Sequence, residues 1–251
     1  MDRIICVVGP TASGKTKLAV QLAKAYDGEV VSCDSMQIYK HMDIGTAKPT
    51  KEEMEGVAHH LIDMVEPGED FSAGKYVQLA DACVQDILSR GKTAVIAGGT
   101  GLYVDSLIAG RSFAPVPQTG RREALEAQLR GEAMLARLRE IDPEAAARLH
   151  PADEKRVIRA LEVYEETGKT ITQHNLETKA VPPRYRPVWI GLDYQDRAAL
   201  YRRIDLRVEN MLSAGLLDEI RALLALGVSP KTTAMQAIGY KEFFGYLSGA
   251  C

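Results

Sequence analysis

The sequence predicts an α/β fold: a parallel sheet core flanked by helices, with an all-helical insertion domain. Three observations predict it. Short apolar runs at residues 3–8, 28–34, 93–97 and 187–194 alternate with stretches whose apolar residues recur at helical spacing, an order that builds parallel sheets. Between the first run and its helix stands Gly9-Pro10-Thr11-Ala12-Ser13-Gly14-Lys15-Thr16, which matches the phosphate-cradling pattern G-x-x-x-x-G-K-[ST] at every fixed position. Between Arg111 and Pro183 the strand signals vanish and helical patterns take over. The core is therefore P-loop NTPase-like, with domains expected at 1–111 (core, first part), 112–183 (insertion) and 184–251 (core, second part).

Composition bounds the function classes. The chain has 251 residues, 46% hydrophobic and 26% charged, enough for a core domain carrying a smaller insertion. No apolar run approaches membrane-spanning length and the first residues carry no basic-then-apolar leader, so a cytoplasmic protein without a membrane partner is expected. Cys6, Cys33, Cys83 and Cys251 are scattered, which suits reduced thiols rather than a disulfide framework or zinc site. With a net charge of −3, any nucleic-acid binding must rest on local basic patches.

The elements follow in order. The apolar strand Ile4, Ile5, Cys6, Val7, Val8 leads into the phosphate loop, and Leu18, Ala19, Leu22, Ala23 and Tyr26 space the helix after it. Glycines let the loop backbone approach a phosphate, several N–H groups and the helix dipole point at one anion, Lys15 adds a charge and Thr16 a hydroxyl for Mg²⁺. The second strand ends at Asp34. At the carboxyl edge of a parallel sheet that carboxylate could share a crevice with the phosphate loop; a helix cap or a role beside an Mg²⁺ ion is the alternative. Residues 40–70 show no clear period, and the adjacent His59 and His60 lack the further spaced ligands of a metal site, so they read as structural or surface residues. Ser72 caps a helix running to Arg90, with Tyr76, Leu79, Ala80, Cys83, Ile87 and Leu88 on one side and Gly91 past its end. The third strand, Thr93 to Ala97, closes in Gly98-Gly99-Thr100-Gly101 where an ATPase of this type would carry an Mg²⁺-holding aspartate. The glycine pair suggests close approach of another molecule to the backbone, with Thr100 offering a hydroxyl.

Helical patterns of the insertion begin after Pro115 and Pro117. Residues 111–160 hold ten Lys and Arg against eight Asp and Glu. In the helix starting near Asp153, Val157, Leu161 and Tyr164 share one face while Arg156 and Arg159 share another, either a solvated face or a grip on a nucleic-acid backbone. After the fourth strand, Leu200, Ile204, Val208, Met211 and Leu212 give a long helix core spacing, and Arg203 and Arg207 lie four apart as surface charge or as a clamp on a diphosphate. A second helix ends at Gly227, and a short amphipathic stretch closes the chain.

The blocks GPTASGKT, VVSCDSMQIYKHMDIGTAKPT, AGGTGLY, DPEAAARLHPADEKRVIRALEVYEETGK, LYRRIDLRVENML and QAIGYKEF together resemble the bacterial tRNA dimethylallyltransferases, the isopentenyltransferase (IPP transferase) family, over nearly the whole chain. The resemblance implies transfer of a dimethylallyl group from dimethylallyl diphosphate to N6 of the adenine 3′ of the anticodon, with Mg²⁺ as cofactor and the tRNA anticodon stem-loop as partner. It implies Asp34, Thr100 and Arg207 as catalytic residues, Asp34 being the general base. Gly9, Pro10, Thr11, Ala12, Ser13, Gly14, Lys15 and Thr16 become the diphosphate or nucleotide cradle, Thr16 the metal ligand, Arg207 the first cation on the diphosphate and Arg203 the second. Asp34, Ser35, Met36, Gln37 and Thr100 would touch the target nucleotide. Arg122, Lys155, Arg156, Val157, Ile158, Arg159, Gln236, Gly239, Tyr240 and Lys241 would contact the rest of the RNA. The family's chains continue past the point where this one stops, so the second core part is expected to lack a further basic helix; a monomer is expected. Competing readings are a prenyltransferase acting on free AMP, ADP or ATP, a catalytically impaired, truncated tRNA-binding form, and a P-loop kinase, the last disfavoured by the missing carboxylate after the third strand.

Overall fold

A computed structural model describes residues 2–111, 113, 122, 124–125 and 130–249. The chain divides into two compact units, Met1–Gly110 with Pro183–Cys251, and Arg111–Pro182. The expected helical start near Pro115 and Pro117, and Cys251, lie outside the described residues.

The first unit carries β1 (Asp2–Val8), α1 (Lys15–Ala25), β2 (Gly28–Ser32), α2 (Lys51–Met54), β3 (His59–His60), α3 (Ala73–Ser89), β4 (Thr93–Ala97) and α4 (Gly101–Ala109). The second unit holds α5 (Gly131–Ile141), α6 (Pro143–Ala146), α7 (Glu154–Thr167) and α8 (Ile171–Lys179). The first resumes with β5 (Tyr185–Gly191), α9 (Arg197–Ser213), α10 (Leu216–Ala225), a 3₁₀ turn at Lys241–Phe243 and α11 (Phe244–Leu247).

The sheet is parallel in the order β3-β2-β4-β1-β5. Its middle strands are continuous apolar runs because helices cover both faces. Ile4, Cys6, Val31 and Ile96 belong to one apolar cluster with α3 and α4, and Ile5, Val7, Val30 and Val95 to a second with α1. All carboxyl ends lie on one edge, which brings the loops after Val8, Ser32, Ala97 and Gly191 together. The α/β core with an additional helical region is the expected fold class.

Several local expectations are corrected. Among the described residues the sheet has five strands rather than four, because His59 and His60 pair with Val30 and Val31; two residues are too few for a period to show. The second and last strands stop at Ser32 and Gly191, short of Asp34 and Tyr194. On α3, Val84 is buried in place of Leu79, and Tyr26 and Tyr164 are exposed. The largest difference is α9: none of its residues is buried, and Val208 and Leu212, expected in the core, are 45% and 42% exposed. Spacing tells which side chains share a face, not how far neighbours cover it: Leu200, Ile204 and Met211 are half-buried, Met211 against the main apolar cluster, while Val208 and Leu212 meet water.

The second unit has its own core of Leu125, Met134, Leu135, Leu138, Val157, Ile158 and Leu161. Asp142 ties it together. Its carboxylate caps α6 by accepting from the Ala145 amide at 3.0 Å, and also accepts from the Thr172 amide and hydroxyl at 3.0 and 2.8 Å. No described helix is long and apolar enough to cross a membrane.

Candidate active site

The loop between β1 and α1 is held by approaches that only its residue types permit. A Cβ on Gly9 would stand 2.5 Å from the Leu192 carbonyl oxygen, so the strand-to-loop exit passes β5 only as glycine. Ala12 takes φ 61°, a left-handed conformation rarely adopted by alanine. Its carbonyl accepts twice from the chain's other end, from the Tyr194 hydroxyl at 3.2 Å and from Arg203 Nε at 3.0 Å, while the Arg203 guanidinium lies 5.8 Å from the Tyr194 ring centre. Lys15 Nζ folds back to donate to the Gly9 and Pro10 carbonyls at 3.0 and 2.7 Å. Ser13 Oγ is buried and has no hydrogen-bond partner.

Three charges meet here. Burial, and then the nearby Arg207 guanidinium, hold the Lys15 pKa below its ordinary value, against the opposing pull of Asp34. Arg207 is likewise lowered by burial and raised by Asp34. A desolvated pair of cations beside one carboxylate is a site short of negative charge.

Asp34 follows β2, and its Oδ1 accepts from the Met36 and Gln37 amides at 2.8 and 3.3 Å. No helix follows for it to cap, as one sequence alternative had it; the carboxylate caps its own turn instead, and that cap fixes where it stands. Thr100 Oγ1 accepts from the Ser35 amide at 3.1 Å, which joins this turn to the end of β4. Gly98 serves the chain itself rather than an incoming molecule: a Cβ there would lie 2.0 Å from the Cys33 carbonyl oxygen. Gly99 faces open space. Gln37 donates to the Thr46 and Ala47 carbonyls at 3.3 and 3.1 Å. A cavity of about 740 Å³ lies beside the loop, between Gly9 and Pro10 and the segment Leu192 to Gln195; Lys15, Asp34 and Arg207 do not line it.

Comparison with known proteins decides the family. A family model described as IPP transferase matches residues 37–251. The tRNA dimethylallyltransferase of Caldanaerobacter subterraneus subsp. tengcongensis is 49% identical over 98% of this chain and 80% of its own. The chain belongs to the IPP transferase family. Two solved structures agree. The full-length tRNA isopentenylpyrophosphate transferase of Bacillus halodurans is 43% identical with a TM-score of 0.72, over all of this chain and 79% of its own. A eukaryotic dimethylallyltransferase acting on tRNA is 30% identical with a TM-score of 0.85, over 99% of this chain and 64% of its own.

In this IPP transferase chain the expected site residues fall into three groups. Lys15, Asp34 and Arg207 act on one another, with the loop and Thr100 alongside. Near the carboxyl end, Gln236 and Lys241 are exposed, whereas Tyr240 is buried and its hydroxyl donates to Glu219 at 2.6 Å. Glu219 also accepts from the Asp43, Ile44 and Gly45 amides, so Tyr240 locks a loop and has no side chain to offer RNA. Gly239 sits beside it with φ 94°. In the second unit Lys155 and Arg156 are exposed, Arg159 pairs with Glu162 at 2.7 Å and Arg122 is half-buried. Val157 and Ile158 are core residues, which leaves their side chains a packing role. His59 and His60 are structural: His60 Nε2 lies 2.8 Å from Glu29, and no cluster of three His, Cys, Asp or Glu among the described residues is placed to hold a metal. Tyr194 and Glu219 gave no signal in the sequence: the Ala12 carbonyl that Tyr194 holds and the Asp43 amide that Glu219 holds lie more than 170 positions away.

Proposed function

We propose that this protein transfers a dimethylallyl group from dimethylallyl diphosphate to N6 of the adenine 3′-adjacent to the anticodon in tRNA, releasing diphosphate. The observation that carries it is the meeting, at the carboxyl edge of the parallel sheet, of the phosphate loop after β1 and the turn-capping Asp34 after β2, with the charges of Lys15 and Arg207 beside them. The adenine N6 lone pair, delocalised into the ring, attacks C1 of the dimethylallyl group as the C–O bond breaks and its electron pair leaves with the diphosphate. Asp34 takes the N6 proton, which offsets the poor nucleophilicity of the amine. The loop amides, Lys15 and Arg207 stabilise the charge that grows on the leaving group. No phosphoryl group moves, which accounts for a phosphate loop without a carboxylate after β4.

The unpartnered Ser13 hydroxyl and the hydroxyl of Thr16, second residue of α1, are hard oxygen donors of the kind Mg²⁺ takes together with phosphate oxygens and water. When bound, Mg²⁺ supplies further positive charge against the diphosphate, and Thr16 is the residue that would hold it. Thr100 and the turn from Asp34 to Gln37 would orient the adenine. Anticodon-loop bases are unpaired and can be drawn into a pocket at modest cost. Lys155 and Arg156, with Arg122, Gln236 and Lys241, would hold the RNA backbone. We take the working unit to be one chain in the cytoplasm.

Asp34→Asn should lower single-turnover transfer by roughly 10²–10⁴ while diphosphate binding persists. Incubation of the wild type with labelled dimethylallyl diphosphate, Mg²⁺ and either unmodified tRNA or AMP tests the substrate. Product from tRNA is expected; product from AMP alone, or tRNA-dependent ATP hydrolysis, would overturn the reading.

A further inference from the structure

The crest of the phosphate loop is held from a distance. Ala12 sits in a left-handed conformation that an alanine adopts only when its surroundings impose it, and the groups that contact its carbonyl are the Tyr194 hydroxyl and Arg203 Nε. Both of that oxygen's lone pairs are then engaged, one by a charge-assisted donor. The guanidinium also stands over the Tyr194 ring, so each donor helps to place the other. Because the peptide between Ala12 and Ser13 is trans and planar, fixing the carbonyl toward Tyr194 and Arg203 turns the Ser13 N–H the opposite way. That amide is one of the loop's phosphate donors in the proposed reading, and the Ser13 hydroxyl beside it is buried without a partner.

We infer that Tyr194 and Arg203 are positioning residues that clamp the Ala12 carbonyl and so aim the loop amides at the diphosphate of the prenyl donor. The assignment moves Arg203 from the diphosphate to the loop's outer side and leaves Arg207 as the cation of α9 that faces the substrate. It couples the segment after β5, far along the chain, to the geometry of a motif otherwise read as complete between residues 9 and 16. This inference rests on the loop being the diphosphate cradle.

The test separates the two ideas. In the full chain, Tyr194→Phe removes one donor and keeps the ring and the charge, while Arg203→Gln removes the other donor and its charge. Each is compared with wild type and with the double variant by amide hydrogen exchange of residues 9–16 without ligand, affinity for inorganic diphosphate, and KM for dimethylallyl diphosphate at saturating tRNA. A clamp predicts faster loop exchange in both single variants and a several-fold weaker diphosphate affinity and higher KM, with the KM for tRNA unchanged. It further predicts that the double variant loses less than the product of the two, since both donors hold one oxygen. Unchanged exchange and affinity in Tyr194→Phe, with a loss confined to Arg203→Gln, would make Arg203 a direct cation and overturn the clamp. Lys15→Ala is the control for the underlying reading: if it binds diphosphate as tightly as wild type, the loop is not the cradle, whereas loop exchange still reports on the clamp.

Discussion

Helices α3 and α9 are each seventeen residues long and each starts at a side-chain cap, Ser72 in one and Asp196 in the other, yet their relation to the core is opposite. Along α3, Tyr76, Ala80, Val84 and Ile87 are buried, and Tyr76 stacks on Tyr103 of α4 with ring centres 4.1 Å apart. Along α9 nothing is buried, and Tyr201 and Leu206 are more than half exposed. Met211 packs against the main cluster from the side, and the rest of what α9 contributes is charge: Arg203 reaches the Ala12 carbonyl and Arg207 acts on Lys15 and Asp34. A helix packed by its apolar face is a structural member. One held through arginines to a loop and a carboxylate depends on what occupies that loop.

Substitutions on the two helices should separate stability from activity. The largest stability loss is expected from Ile87→Ala on α3, about 2–5 kcal/mol for a fully buried side chain, read from the urea midpoint. A loss below about 1 kcal/mol would remove α3 from the core. Arg207→Ala on α9 should do the reverse. Its kcat/KM with dimethylallyl diphosphate should fall by about 10²–10³, equivalent to about 2.7–4 kcal/mol of transition-state stabilisation, with little change in the urea midpoint.

The end of α3 offers a pH test. Arg90, its C-terminal cap, donates to both oxygens of Glu29, which is 6% exposed on β2 and also meets Lys92 and His60. The bonds from Arg90, then those from Lys92 and His60, outweigh burial and hold the Glu29 carboxyl well below its ordinary 4.5. The folded state thus favours the ionised form. Its contribution is complete above pH 4.5 and is lost as pH falls toward the folded-state value. Glu29→Gln should cost about 1.5–3 kcal/mol at pH 7, and the gap to wild type should narrow as pH drops below about 4.5. A gap that stays constant down to pH 3 would mean that these ion pairs do not support the end of α3. The smallest effect is expected from Leu206→Ala on α9, within about 0.5 kcal/mol, because its side chain already meets water. A loss of 2 kcal/mol in the same urea titration would show that this side chain is packed after all.

Much of the frame is legible in the sequence. The strand at Thr93 to Ala97 has the bounds its apolar run suggests, and Ser72 Oγ accepts from the Lys75 amide as a cap should. The phosphate loop falls between β1 and α1 because its glycines and Lys15 are defined by neighbours in the chain. Asp34 was legible as a carboxylate at a strand end, though not as the cap of its own turn. The two-residue strand β3 was not legible, since it exists only by pairing with Val30 and Val31.

Residue type and spacing act over a few positions, through backbone sterics, capping and the 3.6- and 2-residue periods. They were enough to set the helices, the parallel strands, the loop chemistry and the family pattern of this chain. Spacing could not say that Val208 and Leu212 of α9 would meet water, that Glu219 would collect the amides of Asp43, Ile44 and Gly45, or that Tyr194 and Arg203 would hold Ala12. Those outcomes depend on which surfaces meet once the sheet has formed, and the partners stand more than 170 residues apart in the chain. Contacts between such distant residues leave no local period, because the packing of the whole unit chooses them.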